Sequence, residues 1–248
     1  MTPPARALRA LLVADAIVLL RNLRVLVVSL VVPLFLLVVI DRSGGQLGAA
    51  DFYGAVAMVL TIGLMTTALS GYAASLARDR EHGVFQRLRV TPAPSWTIMA
   101  SRLLVQVAAN LVTILVVLAA AAGLRRLTLG AGDYLMLVLV AMLGGVMFLA
   151  IAQALVGLLK SAATVNAAAS MLLVVLLLAG LLGPVGVLGE AFRPTAQWTP
   201  VGVLVAIFDG TAHHKAWDAA AWLRLGACLG YIAVGALIGI RWFRWDAR

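Results

Sequence analysis

Few side chains in this sequence have the types and spacing for covalent chemistry. The histidines are His82, His213 and His214, and the single cysteine, Cys228, lies in the last apolar run. A zinc centre draws several Cys, His or carboxylate ligands together at close spacing, and no such grouping occurs along the chain. One thiol also excludes an intrachain disulfide. Lys160-Ser161 has the ending of a phosphate-binding loop, but Leu159 stands where that loop needs glycine. No serine sits in a Gly-x-Ser-x-Gly elbow. The sequence therefore offers no site for hydrolysing a nucleotide, and any ATP and Mg would be bound by another chain.

Uncharged polar residues within long apolar runs are more informative. Gln106 and Asn110 are four apart, so they share a helix face, with Thr113 close by. Gln153 lies in a later run, and Thr164 and Asn166 in the next. In hydrocarbon such groups need partners, which leaves two readings: hydrogen bonds between helices, or the polar lining of a substrate path. For the second, the candidates are Gln106, Asn110, Gln153, Asn166 and Arg224. Gln106 and Asn110 would then face a cavity between two copies of the chain. Arg224 lies six residues beyond Asp218, where snorkelling to headgroups competes with a role in a gate. Gly144-Gly145 would allow close helix approach.

These residues need a membrane around them. Of 248 residues, 63% are hydrophobic and only 12% charged, about half the charge of an ordinary soluble domain. The reading is an all-α integral membrane protein, one transmembrane domain over residues 1–248 with six transmembrane helices. The expected spans are residues 25–40 (with Pro33 inside), 52–77, a third starting at Trp96 or Leu103 and ending at 124, 134–159, 162–182 and 219–240. Residues 41–45 read as a turn, and Lys160-Ser161 as a tight connection. Residues 183–218 are broken by Gly and Pro, and their apolar run at 201–208 is too short to cross, so they read as a re-entrant region on the outer side.

Residues 1–24 lack the short apolar core of a cleavable signal. Arg6, Arg9, Arg21 and Arg24 share one side of a helical wheel, which predicts an amphipathic interfacial helix. Asp15 lies opposite, where it either points to a partner or is a tolerated interfacial carboxylate, the second being the preferred reading. Six spans put both termini on one side with thirteen bases, against six on the other. The excess marks the cytoplasm, and this membrane rule explains the net charge of +9 without nucleic acid. Arg far outnumbers Lys, a bias that suggests a GC-rich bacterial genome and a bacterial plasma membrane.

The longest polar interruption is residues 78–95. Residues 52–77 before it form a run of 26 without a charge, roughly 39 Å of helix at ~1.5 Å per residue. Gly83 can end the arriving helix in a left-handed cap. Val84, Phe85 and Leu88 then share one face of a short helix, stopped by Thr91-Pro92 and Pro94, with Ser95 as the expected N-cap of the next helix.

The run Glu81-x-Gly83, then Gln86-Arg87-Leu88-x-x-Thr91-Pro92, followed by Trp96 and an apolar helix, resembles the cytosolic loop of type-2 ATP-binding-cassette (ABC) exporter permeases, including those of multidrug exporters. The usual pattern there is approximately E-x-G-T-L-E-x-L-x-x-T-P. This chain has Val84-Phe85 in place of Thr-Leu, and Gln86 in place of an acid. Gln197-Trp198-Thr199-Pro200 fits the short helices that family carries before its last span. The resemblance implies a coupling helix resting on an ATPase, with Glu81, Gly83, Val84, Phe85, Arg87, Leu88, Thr91 and Pro92 as coupling residues. On that reading Val84, Phe85 and Leu88 insert into a groove of the ATPase. It also implies two ABC ATPase subunits per complex, a second permease copy or a related permease, and export of drugs or lipid-like molecules. Export of a lipid, polysaccharide or haem-type cargo is the nearest alternative. A membrane-embedded enzyme and a non-transport scaffold are the readings from other classes.

Overall fold

The computed structural model describes residues 4–21, 23–43, 49–89, 94–125, 130–182, 189–212 and 218–242. Every regular element among them is helical. α1 (Pro4–Arg21) leads into α2 (Leu23–Ser43), which covers the expected first span. Asp41 to Ser43, expected in a turn, continue that helix; Gly44 and Gly45 lie outside the described residues. Pro33 is a packing surface for the second span: a Cβ added to Gly63 would sit 2.8 Å from its Cγ.

The second span is built from α3 (Ala49–Thr66), a π-helical segment (Thr67–Ala73) and α4 (Ala74–Glu81). The π segment follows Thr66, begins at Thr67 and contains Ser70-Gly71. The Thr67 hydroxyl donates to the Leu64 carbonyl at 2.9 Å, a local bond that competes with regular helix geometry. Single π turns of this kind concentrate at functional sites.

Next come α5 (Val84–Arg89), α6 (Ser95–Arg125), α7 (Ala131–Leu158) and α8 (Ala162–Leu182). Ser95 is the first residue of α6 and not its outside cap; the Pro94 carbonyl accepts from the Thr97 amide at 3.0 Å and the Thr97 hydroxyl at 2.6 Å. The short α9 (Arg193–Ala196) and α10 (Pro200–Ala212) precede α11 (Ala219–Arg241). Among the described residues, five stretches are long and apolar enough to cross a membrane: Phe52–Glu81, Trp96–Leu124, Ala131–Leu158, Ala162–Gly180 and Ala219–Arg241.

α10 has 13 residues, too few to span. Thr199 caps it, accepting from the Gly202 amide at 3.1 Å, and Pro200 opens it, so the Gln197-Trp198-Thr199-Pro200 run is a helix-start signal. Its Val201, Val203, Leu204 and Phe208 are buried among the long helices. Gly144 and Gly180 make room for it: a Cβ on either would come within 2.3 Å of Leu204 or Val201.

α7 and α11 form the most intimate helix pair. A Cβ on Gly235 would lie 2.8 Å from the Ala150 carbonyl oxygen, and one on Gly239 2.5 Å from Gln153 Cγ. The Gly235-x-x-x-Gly239 spacing thus lets the backbones meet. Gly235→Leu should lower the thermal unfolding midpoint of the purified permease, at a cost of about 3 kcal/mol, because a backbone carbonyl cannot step aside. An unchanged melt would show that the pair tolerates separation.

Candidate functional site

The corner between α4 and α5 is made by Gly83, whose φ is +68°. Its amide reaches the Arg80 carbonyl at 3.2 Å, and its own carbonyl receives the Arg87 amide at 3.1 Å. Glycine takes this left-handed geometry without a Cβ penalty. α5 then folds back so that Phe85 is fully buried, Val84 and Leu88 are half-buried, and Gln86 and Arg87 are exposed. In this single chain Phe85, expected to enter an ATPase groove, packs against the chain's own core. The apolar face is amphipathic as expected, but it is used inside the chain, as the anchor of α5. Thr91 and Pro92 lie outside the described residues.

Arg102 on α6 is the partner of Phe85. Its guanidinium carbon sits 4.9 Å from the ring centroid, a cation–π distance. The same guanidinium donates through Nη1 to Asp79 Oδ2 on α4, and its Nε lies 3.9 Å from Asp15 Oδ1 on α1. The Ser101 hydroxyl donates to the other Asp15 oxygen. Asp15 is therefore paired with Ser101 and Arg102, which is the partnered reading and not the preferred one of a tolerated interfacial carboxylate. One side chain, 15% exposed, ties α1, α4, α5 and α6 together.

A second tie lies one step along the same corner. Arg80 is 3% exposed. It donates through Nη1 to the Val156 carbonyl at 2.7 Å, and through Nη2 to Leu159 at 2.7 Å and Lys160 at 2.9 Å. These are open carbonyls at the C-terminal end of α7. Beside it, Glu81 Oε1 accepts from the Ala162 amide at the start of α8. A cation at a helix C-terminus and an anion at a helix N-terminus both match the helix dipoles. Arg80 and Glu81 thus grip the α7–α8 connection from the two sides of its turn. Glu81, expected as an ATPase-coupling residue, is exposed and places one carboxylate oxygen on this internal bond.

The polar residues of the spans fall into separate groups. Gln106 Nε2 donates to Asn110 Oδ1 at 3.4 Å, and the Thr67 hydroxyl lies 3.3 Å from the same oxygen. The Tyr72 hydroxyl donates to Gln153 Oε1 at 2.7 Å. These bonds join the second span to α6 and to α7 within one chain. Gln106 and Asn110 also border a cavity of about 260 Å³ with Leu19, Leu30, Thr67 and Thr113. That cavity is a half-open cleft lined by α1, α2, the π segment and α6 of a single chain. Asn166 is exposed on α8 and Arg224 half-buried on α11; neither lines this cavity. The five residues expected along a substrate path are therefore not one constellation.

Sequence reasoning missed Arg80, Arg102 and Asp79 because each reads as a surface charge near the end of a span. The usable signal was the Arg-Asp-Arg-Glu run at 78–81, where a full turn of charge follows an apolar helix. The model of the ABC-2 type transporter family matches residues 6–210. No curated protein matches the sequence.

Proposed function

The chain belongs to the ABC-2 type transporter family, and on that premise we propose that it exports amphipathic drugs or lipid-like molecules from a bacterial cell. Membership makes it a multi-pass membrane protein and a transport subunit, of a kind that partners with ABC ATPases. In the proposed assembly two permeases, identical or related, stand over two separate ATPases that bind ATP and Mg. Each permease has six spans, α2 being the first, and both termini are cytoplasmic. α1 lies at the interface and α10 enters the membrane from outside. α8 and α11 leave most of their surface open, with Met171, Val174, Trp222, Leu223 and Leu237 exposed, which suits contact with lipid and with the second permease.

The observation that carries this reading is the α4–α5 corner. Its apolar side is fixed to the spans through Phe85, while its outer side presents Gln86 and Arg87. A push from an ATPase on that outer side would reach α6 through Arg102 and the α7–α8 connection through Arg80 and Glu81. Residues 81–92 form the coupling segment, in which Arg87 touches the ATPase and Phe85 holds the segment in place. Arg87→Glu should reduce retention of the ATPase on co-purification about tenfold, a change of roughly 1.4 kcal/mol, with the permease melt unchanged. Full retention together with full transport would remove Arg87 from the contact.

A further inference from the structure

We infer that α1 is a sensor of anionic lipid, and that it acts on the coupling corner through Asp15 and Arg102. The inference rests on the permease reading and adds a regulatory partner to it.

The outward face of α1 exposes Arg6, Arg9 and Arg21 as its charged groups, with Val13, Ile17 and Leu20 between them. An apolar patch flanked by bases complements a bilayer surface bearing negative headgroups. The helix has one acid, Asp15, on the opposite face, where Ser101 and Arg102 hold it. Its negative charge is thereby withdrawn from the lipid side. The bases address the membrane, and the acid addresses the coupling hub.

The joint between them has slack. Asp15 Oδ1 stands 3.9 Å from Arg102 Nε, and that nitrogen is buried without a hydrogen bond among the described residues. A small rotation of the Asp15 carboxylate about its Ser101 bond would bring the pair to hydrogen-bond distance. The other side of the same guanidinium holds Asp79 and covers the Phe85 ring. Anionic headgroups that hold α1 in place therefore steady Arg102, and with it α5. In a neutral bilayer α1 is held less firmly and the coupling helix loosens.

The test compares the permease–ATPase complex in phosphatidylcholine vesicles with and without phosphatidylglycerol. Amide exchange of α1 is read on the permease alone, and transport on the complex. Each arginine near an anionic surface strengthens its attachment about fivefold. Wild-type α1 should thus exchange many-fold more slowly with phosphatidylglycerol present, and transport should rise. Arg6→Gln/Arg9→Gln should lose about 25-fold of that protection and with it the transport response. Asp15→Asn should keep the slower exchange on the lipid-facing side but lose the transport response. Unchanged exchange in α7 and α11 confirms that the variants are folded. Lipid-independent exchange of wild-type α1, or a full response in Arg6→Gln/Arg9→Gln, overturns the inference. Because the exchange arm needs no ATPase, failure of the permease reading would show separately, as a wild-type complex that transports in neither lipid.

Discussion

Phe85→Ala should cost the permease about 3–5 kcal/mol of stability, the usual range for emptying a buried aromatic site. It should also leave ATP hydrolysis running with little transport. Phe85 is one of the largest fully buried side chains in the chain, yet it stands on a helix of only six residues. Such a helix has no stability of its own, so its position depends on this anchor. Removing the ring takes away the surface under Arg102, and α5 is then free to move without carrying α6. The measurement is paired: thermal unfolding of the purified permease, and transported substrate per ATP in vesicles. The same experiment separates the two uses of the apolar face. If Phe85→Ala melted like the wild type and only lost its ATPase, the side chain would belong to the ATPase contact, as the amphipathic pattern alone suggested.

Arg80→Ala should cost about 3 kcal/mol, within the range for losing charge-assisted hydrogen bonds from a buried group. The loss is not the sum of three bonds, because the freed carbonyls at 156, 159 and 160 lie at a helix end where water can reach some of them. The functional effect should be larger than the stability effect. Without Arg80, the hydrogen bond from Glu81 to Ala162 is the one that remains between α4 and the α7–α8 connection among the described residues. Movement of the coupling corner should then stop at α4 and fail to reach the fourth and fifth spans. Arg80→Lys keeps the charge but not the planar fork that reaches several carbonyls at once, and should fall between Ala and wild type in transport per ATP. Equal coupling in all three forms would show that Arg80 only stabilises the fold.

Five apolar helices of spanning length were legible in the sequence because a bilayer imposes length and hydrophobicity on each of them. The expected fourth, fifth and sixth spans differ from α7, α8 and α11 by a few residues at most. Gly83 was legible because a left-handed corner has few other solutions. The π segment was not: Thr and Ser-Gly pairs occur in many regular membrane helices, and only tertiary packing decides which of them distort. The direction of Phe85 was not legible either. Amphipathicity says that a face is covered and is silent on what covers it. Asp15, Asp79, Arg80 and Arg102 share that difficulty, since their partners are distant in sequence; the two arginines alone fit the positive-inside pattern, and the two acids alone read as charges at the water interface. Gln106 and Asn110 were correctly placed on one face, but the number of helices around that face depends on how α1 folds against α6.

The central claim is that the α4–α5 corner and the α7–α8 connection move as one body. The most direct measurement places spin labels at Gln86 and Lys160, both exposed, with the buried Cys228 replaced by Ala, and compares their separation in the nucleotide-free and ATP-bound complex. The account predicts one narrow distance distribution that is the same in both states, and a broadened, nucleotide-dependent one when Arg80→Ala is added. A separation that changes with ATP in the otherwise wild-type chain would contradict it.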